Sequence, residues 1–325
     1  MMRLRNLLAA LLLCVGGLAA PVAALAGVDP EGTKACVECH DSEDLADSSR
    51  HAHSHPTDAR APGCTSCHGT SERHLKNPEK SKDRPRPDIT YGKKGASPVA
   101  VRNATCHGCH SKDQKRMLWA GSPHEAADVA CNSCHRNHTN EDRALARASE
   151  AELCYACHKE QRTQLARPSH HPIPEGKMGC SDCHNVHGSA GPKLAKRDST
   201  NDTCYSCHAE KRGPFVHPHE PATQDCASCH NPHGSTVQAM LKARPPMLCM
   251  QCHTPHVAGN VGAVGGQPGV FTPPRPGVAP AVGPNTNGRN VVNIWQGRSC
   301  TNCHTQTHGS NNPAATNPTP NFLFR

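Results

Sequence analysis

Residues 124–158 read HEAADVACNSCHRNHTNEDRALARASEAELCYACH, and the reading of this stretch decides how the chain folds. Cys131 and Cys134 lie three apart and are followed at once by His135; Cys154, Cys157 and His158 repeat the pattern. On one helical turn, side chains at i and i+3 share a face. Two thiols so placed can form thioethers to the two vinyl groups of one haem, and the adjacent imidazole then reaches its iron. CxxCH is the c-type haem attachment motif for that reason. Two further histidines frame the stretch: His124 lies seven residues before Cys131, and His138 three beyond His135.

Working outward, the motif occurs ten times. Its cysteines are Cys36 and Cys39, Cys64 and Cys67, Cys106 and Cys109, Cys131 and Cys134, Cys154 and Cys157 in the first part of the chain. They continue as Cys180 and Cys183, Cys204 and Cys207, Cys226 and Cys229, Cys249 and Cys252, Cys300 and Cys303. Each second cysteine is followed by histidine: His40, His68, His110, His135, His158, His184, His208, His230, His253 and His304. Histidine is only about 8% of the chain, so chance does not put one after every pair. Zinc sites also use CxxC, but as two pairs closing one tetrahedron, with no need of these histidines. A disulfide framework has no need of them either. The pattern predicts ten covalently bound haem c groups.

The sixth ligand of each iron decides what such a haem does. A second protein ligand makes an electron carrier, whereas an open position makes a catalytic centre. His107 lies inside its own motif and is set aside. The remaining histidines fall into ten groups: His51/His53/His55, His74, His124, His138, His170/His171, His187, His217/His219, His233, His256 and His308. Ten groups for ten motifs match bis-histidine ligation throughout. A repeat of 45 to 50 residues supports the match, running from His124, His171 and His219 in turn. Its register favours His171, which Pro172 follows directly, over His170, and His219 over His217, because His124 and His219 both stand seven residues before a motif. His51 is preferred at the start, with little to separate it from His53. Which of these serves which haem is not readable from the sequence.

The rest of the composition agrees. Gly and Pro make up about 17% of the chain, Trp, Tyr and Phe only 3%, and mean hydropathy is −0.65. Backbone ordering costs roughly 1–2 kcal/mol per residue, while burial returns about 25 cal/mol per Å² of apolar surface. Side chains this polar cannot readily supply that core; ten porphyrins can. Between residues 106 and 253 a motif begins every 22 to 26 residues, so neighbouring haems must touch. Secondary structure is expected to be sparse, with one longer helix over 142–167. Gly188-Ser189, Gly234-Ser235 and Gly309-Ser310 are expected at turns leading away from a haem, and 257–299 as an irregular loop or partner surface.

Residues 1–26 read as a secretory signal peptide, with Arg3 and Arg5 before an apolar Leu7–Ala20 core that contains Cys14. The expectation is an exported chain. Its net charge of +8 does not indicate a nucleic-acid partner, because two propionates on every haem outweigh it and draw the basic residues to themselves.

The chain resembles the MtrA/DmsE-type decahaem c-type cytochromes of outer-membrane porin–cytochrome conduits. The resemblance rests on the doubled CxxCH units with HxxH, on Asn201-Asp-Thr-Cys-Tyr-Ser-Cys-His-Ala-Glu-Lys-Arg212, and on Gly297-Arg-Ser-Cys-Thr-Asn-Cys-His followed by His308-Gly-Ser310. It implies a multihaem cytochrome c fold, mostly irregular with short α-helices. It also implies an elongated haem wire of two pentahaem halves, 27–166 with haems 1–5 and 167–325 with haems 6–10. Such a protein sits on the periplasmic side, inside a large outer-membrane β-barrel porin, with extracellular and periplasmic or inner-membrane cytochromes as redox partners. It passes electrons between periplasm and cell exterior, towards metal reduction or from Fe(II) oxidation. The insertion between Cys252 and Cys300 departs from the family pattern. Two alternatives stand beside it: a soluble periplasmic shuttle or donor to an external reductase, and a multihaem enzyme such as a nitrite or hydroxylamine converter. The last needs an open haem, often with lysine at the motif histidine, and all ten motifs here end in histidine.

Overall fold

The computed structural model describes residues 30–40, 49–55, 57–77, 83–92, 94–253, 300–302 and 304–311. The expected leader, His256, Cys303 and the 257–299 segment lie outside the described residues. The helices are short: α1 (Pro30–Val37), α2 (Cys64–His68), α3 (Glu72–Leu75), α4 (Val99–His110), α5 (Pro123–Ala126) and α6 (Cys131–Cys134), then α7 (Arg147–Tyr155), α8 (Lys159–Leu165), α9 (Thr200–Tyr205) and α10 (Glu220–Gln224). Single 3₁₀ turns carry the first three residues of the motifs at Cys180, Cys226, Cys249 and Cys300. The attachment motif itself sets this scale. In eight motifs the histidine N–H donates to the first cysteine's carbonyl at 2.8–3.1 Å, from His40–Cys36 to His304–Cys300. That bond closes one turn and places both cysteine side chains on one face.

The helix expected over 142–167 is divided. It forms as α7 and α8, separated by the motif histidine His158 with φ −86° and ψ 66°. His208 leaves the helical region in the same way, at φ −103° and ψ 50°. Helix propensity is a weak preference, and here the need to turn the imidazole away from the cysteine face overrides it.

The chain forms two compact units, one from the part up to Cys106 with Arg136–Glu141, the other from His107–His135 and from Asp142 onward. In the first, Ser71 and Asp88 bond reciprocally, with Ser71 N–H to Asp88 Oδ2 at 2.8 Å and Asp88 N–H to Ser71 Oγ at 3.1 Å. The Tyr91 hydroxyl donates to the Cys67 carbonyl at 3.1 Å. These bonds hold residues 85–92 against the second motif.

The second unit repeats one device. After His187 and again after His233 the chain loops back over the motif just made. Asn185 and Asn231 N–H donate to Leu194 and Met240 carbonyls, both at 2.8 Å. Lys196 and Lys242 N–H return to Cys183 and Cys229 carbonyls at 2.9 and 2.8 Å. Each loop carries two left-handed non-glycine residues, Lys193 and Leu194 in one, Ala239 and Met240 in the other, with φ between 50° and 62°. Such residues are strained, and they aim the carbonyls of Lys193 and Ala239 at the motif histidines. The glycines of the three Gly-Ser dipeptides close turns, Gly188, Gly234 and Gly309 N–H each donating to the carbonyl three residues earlier at 3.0 Å, and two of the dipeptides are also crossing points. Ser169 and Ser235 exchange both backbone bonds, at 3.1 and 2.8 Å, and β1 (His217–Pro218) pairs antiparallel with β2 (Gly309–Ser310). Gly234 is required at its crossing: its φ is +141°, and a Cβ there would strike the Gln164 carbonyl.

The polypeptide builds little apolar core. Among the described residues, the buried apolar side chains are Trp119, Ala130, Tyr155, Leu165 and Ala195, beside buried polar ones such as Glu150 and Asn201. The polar pair clamp successive motifs together. Glu150, on α7 before the fifth motif, accepts the Ser181 N–H of the sixth at 2.7 Å. Asn201, on α9 before the seventh, accepts the Cys226 N–H of the eighth at 2.7 Å and donates to the Ala222 and Thr223 carbonyls. An Asn201→Ala chain loses these three bonds and a longer one to the Tyr205 hydroxyl, and leaves a half-buried N–H without its acceptor. We expect denaturant unfolding of the haem-loaded protein to show a loss of about 2–4 kcal/mol. An Asn201→Asp chain, which keeps the acceptor, should lose less.

Candidate haem-ligating site

Beside the attachment turns, the structure brings histidines from distant parts of the chain into pairs. The pairs are His40 with His74, His68 with His138, His124 with His158 and His135 with His187. They continue as His171 with His208, His184 with His233, His219 with His253 and His230 with His308. All eight centroid separations fall between 6.0 and 6.3 Å, while interplanar angles range from 11° to 81°. Ordinary ring contacts spread over about 4.5–7 Å. A metal–imidazole bond is about 2.0 Å, so two imidazoles on opposite sides of one metal have centroids about 6 Å apart at any rotation. A narrow distance with free rotation is the signature of axial ligation, and it fits a haem iron.

The pairing follows a rule. His138, His187, His233 and His308, the histidines just beyond a motif, face the motif histidine two motifs earlier. His124, His171 and His219, which precede the first motif of a repeat, face the second motif of that same repeat. The chain thus passes one motif, forms the next, and returns to the first.

Backbone carbonyls orient the rings. Nδ1 contacts a carbonyl oxygen in His68 (Ile89, 3.0 Å), His184 (Lys193, 3.0 Å) and His230 (Ala239, 2.8 Å). It does the same in His74 (Pro85, 2.8 Å), His124 (Val186, 2.8 Å), His171 (Pro232, 2.7 Å) and His219 (Thr307, 2.7 Å). A carbonyl only accepts, so Nδ1 carries the proton and Nε2 presents its lone pair. Burial lowers the pKa of His138, His233 and His308, and pulls His187 down to about 4, favouring the neutral, ligand-competent form.

His170 is not turned to a haem face: its Nε2 meets Glu175 at 3.1 Å, and the carboxylate raises its pKa. His217 sits in β1, while His219 takes the paired position. His51 and His53 lie against one another at 5.3 Å, and His51 is close enough to His138 to influence it. His107 packs on Trp119. Residues that sequence reasoning missed are those whose carbonyls accept from Nδ1, the two clamps and Asp142, whose Oδ2 stands 2.6 Å from His135 Nδ1.

The attachment cysteines of successive motifs meet. Cys154 is hydrogen-bonded to Cys180, Cys204 to Cys226, and Cys249 to Cys300. Cys134 lies near Cys157, Cys183 near Cys204 and Cys207, and Cys229 near Cys249 and Cys252. Motifs four to ten therefore form an unbroken file. Among the described residues no three Cys, His, Asp or Glu side chains converge on one point; the imidazoles instead come in facing pairs, a spacing that would suit one on each face of a haem.

Comparison with known proteins agrees. The doubled CXXCH motif family matches residues 124–163, 170–213 and 219–258, and the cytochrome c554 and c-prime family matches 70–136. The multihaem cytochrome MtrA of Shewanella baltica is 41% identical over 290 residues, covering 88% of this chain and 80% of that one. The cytochrome c-type protein NrfB of Escherichia coli is 29% identical over 134 residues, covering 40% of this chain and 66% of that one. A high-molecular-weight cytochrome c of Nitratidesulfovibrio vulgaris is 27% identical over 156 residues, covering 48% and 26%. With attachment motifs, paired imidazoles and a relative of this identity along most of its length, the chain belongs to the MtrA family of multihaem c-type cytochromes, proteins that bind haem c and transfer electrons.

Proposed function

We propose that this protein is a decahaem conduit that passes electrons between the periplasm and the cell exterior through an outer-membrane β-barrel. The observation that supports the proposal is the file of neighbouring attachment cysteines from the fourth motif to the tenth, three of whose links are direct hydrogen bonds. Each cysteine would hold a porphyrin edge, so haems attached there would lie edge to edge. Electron tunnelling decays exponentially with distance, and only such contact carries charge over a long path.

The ten CxxCH motifs attach the haems, five within 27–166 and five within 167–325. Their motif histidines supply one axial ligand each. His51, His74, His124, His138, His171, His187, His219, His233, His256 and His308 supply the second. An imidazole on each face would leave no position open to substrate, and the haem held there would supply one-electron chemistry alone.

No helix among the described residues is long and apolar enough to cross a membrane. A hydrocarbon core is about 30 Å thick, and irregular backbone cannot face lipid. A porin sheath resolves both constraints. Periplasmic cytochromes would feed or drain one end, and an extracellular multihaem cytochrome the other.

The experiment uses vesicles loaded with reduced methyl viologen, with ferric citrate outside. The haem-loaded protein is inserted together with the barrel that copurifies with it from its own outer membrane. The dye should be oxidised rapidly only when both are present. If no barrel copurifies, or if barrel and cytochrome together perform no better than barrel alone, a free periplasmic shuttle replaces the conduit.

A further inference from the structure

We propose that Asp142 is a positioning residue which makes His135 an unusually strong donor to its iron, so that the haem on the fourth motif is the hardest of the file to reduce. The proposal rests on the axial-ligand reading above and adds to it a control of potential.

The contrast within the chain is direct. His68, His184 and His230 are motif histidines like His135, and each contacts a neutral backbone carbonyl at 2.8–3.0 Å. His135 instead has a carboxylate oxygen at 2.6 Å, on a side chain only 5% exposed. A charge-assisted bond in a dry setting is about twice as strong as a neutral one. Another carboxylate near a motif imidazole, Glu210, stands 3.8 Å from His208 Nδ1 with both side chains more than half exposed, where water screens it.

Asp142 is held for this task. Its Oδ1 accepts the Ala144 N–H at 3.0 Å, and its carbonyl accepts the N–H groups of Leu145 and Ala146. One carboxylate oxygen is thus anchored to backbone and the other is aimed at Nδ1. On the opposite side stands His187, parallel to His135 within 13°. Arg116, whose charge reaches His187, is itself paired with Asp113.

The chemistry is one of charge alone. The Nδ1 proton stays between His135 and Asp142, and sharing it with an anion gives the imidazole imidazolate character. The extra electron density at Nε2 stabilises the ferric iron over the ferrous, so adding one electron, with no proton taken up, becomes harder. An electron crossing the file meets an uphill step there. Such a step limits the rate in both directions and favours neither.

Asp142→Asn keeps the acceptor and removes the charge. In the full haem-loaded protein, one haem should become easier to reduce by about a tenfold change in its oxidised-to-reduced ratio, which for one electron is about 59 mV. Haem content and the low-spin spectrum should be unchanged, and they report on the axial reading separately. Asp142→Glu should restore the low value. In the unmodified ferric protein, one haem should show its near-infrared charge-transfer band at higher energy than the rest, the mark of an imidazolate-like ligand, and lose that displacement in the Asn chain. Potentials identical in the Asp and Asn chains, or an equal shift with Asn and Glu, would overturn the proposal. So would a ferric spectrum with no displaced band, a result that needs no variant at all.

Discussion

Alanine at both Cys204 and Cys207 is expected to reduce electron transfer along the file by orders of magnitude while removing a single haem. These cysteines attach the seventh group. Cys204 is hydrogen-bonded to Cys226 of the eighth motif, and Cys204 and Cys207 lie close to Cys183 of the sixth. Without its two thioethers the seventh porphyrin loses its covalent hold. The sixth and eighth keep all of theirs: the paired imidazoles His184–His233 and His230–His308 do not involve the altered residues. A connection between these two irons survives through His230-Asn-Pro-His233, whose first and last residues face the eighth and sixth haems respectively. That route is a run of many covalent bonds, and tunnelling along it is far slower than between porphyrin edges. Haem quantification should therefore show one group fewer, the spectrum should remain low-spin, and stopped-flow transfer between donor and acceptor at opposite ends should collapse. Transfer at the original rate with one haem missing would mean that the file branches and the seventh position is a side arm.

Parts of this arrangement were legible in the sequence because covalent chemistry leaves little freedom. A porphyrin needs two thiols one turn apart and an imidazole next to them, so CxxCH can be recognised wherever it falls. The pairing of imidazoles was not legible, because it depends on where the chain returns after 34 to 78 residues. His230 faces His308 rather than the nearer His233, and only the fold decides this. The helix expected over 142–167 failed at His158 for a related reason. Local propensity favours continuing, but the haem face and the iron lie in different directions from one turn, and the backbone breaks to serve both. Asp142 was invisible for want of contrast: an aspartate seven residues beyond a motif carries no mark of its partner. Gly188, Gly234 and Gly309 were seen as special positions, but the use of Gly234 and Gly309 as crossing points rests on the approach of another strand.

The second large effect separates two adjacent histidines. His171→Ala should convert one haem, the seventh, from low spin to high spin, while His170→Ala should leave every haem low-spin. The sequence distinguishes them only by register and by Pro172, whereas the structure places their imidazoles in different environments. His171 stands opposite His208 at 6.3 Å, its Nδ1 directed to the Pro232 carbonyl at 2.7 Å. Removing that ring opens the sixth position of an iron that still keeps its thioethers and His208. Carbon monoxide should then bind the reduced protein at one haem, and added imidazole should restore the low-spin spectrum by occupying the space the side chain left. Loss of the strong donor also favours the ferrous state, so that haem should become the easiest of the file to reduce. His170 meets Glu175 near the surface, and its loss costs at most a solvent-screened pair worth about 0–1 kcal/mol. If His170→Ala instead produced the high-spin haem, the histidine order along the chain would be shifted by one residue, and the rule linking each preceding histidine to the second motif of its repeat would fail with it. His124 and His219 obey that rule at the same spacing of seven residues before a motif, so the same substitution at either gives an independent check, with one high-spin haem expected each time.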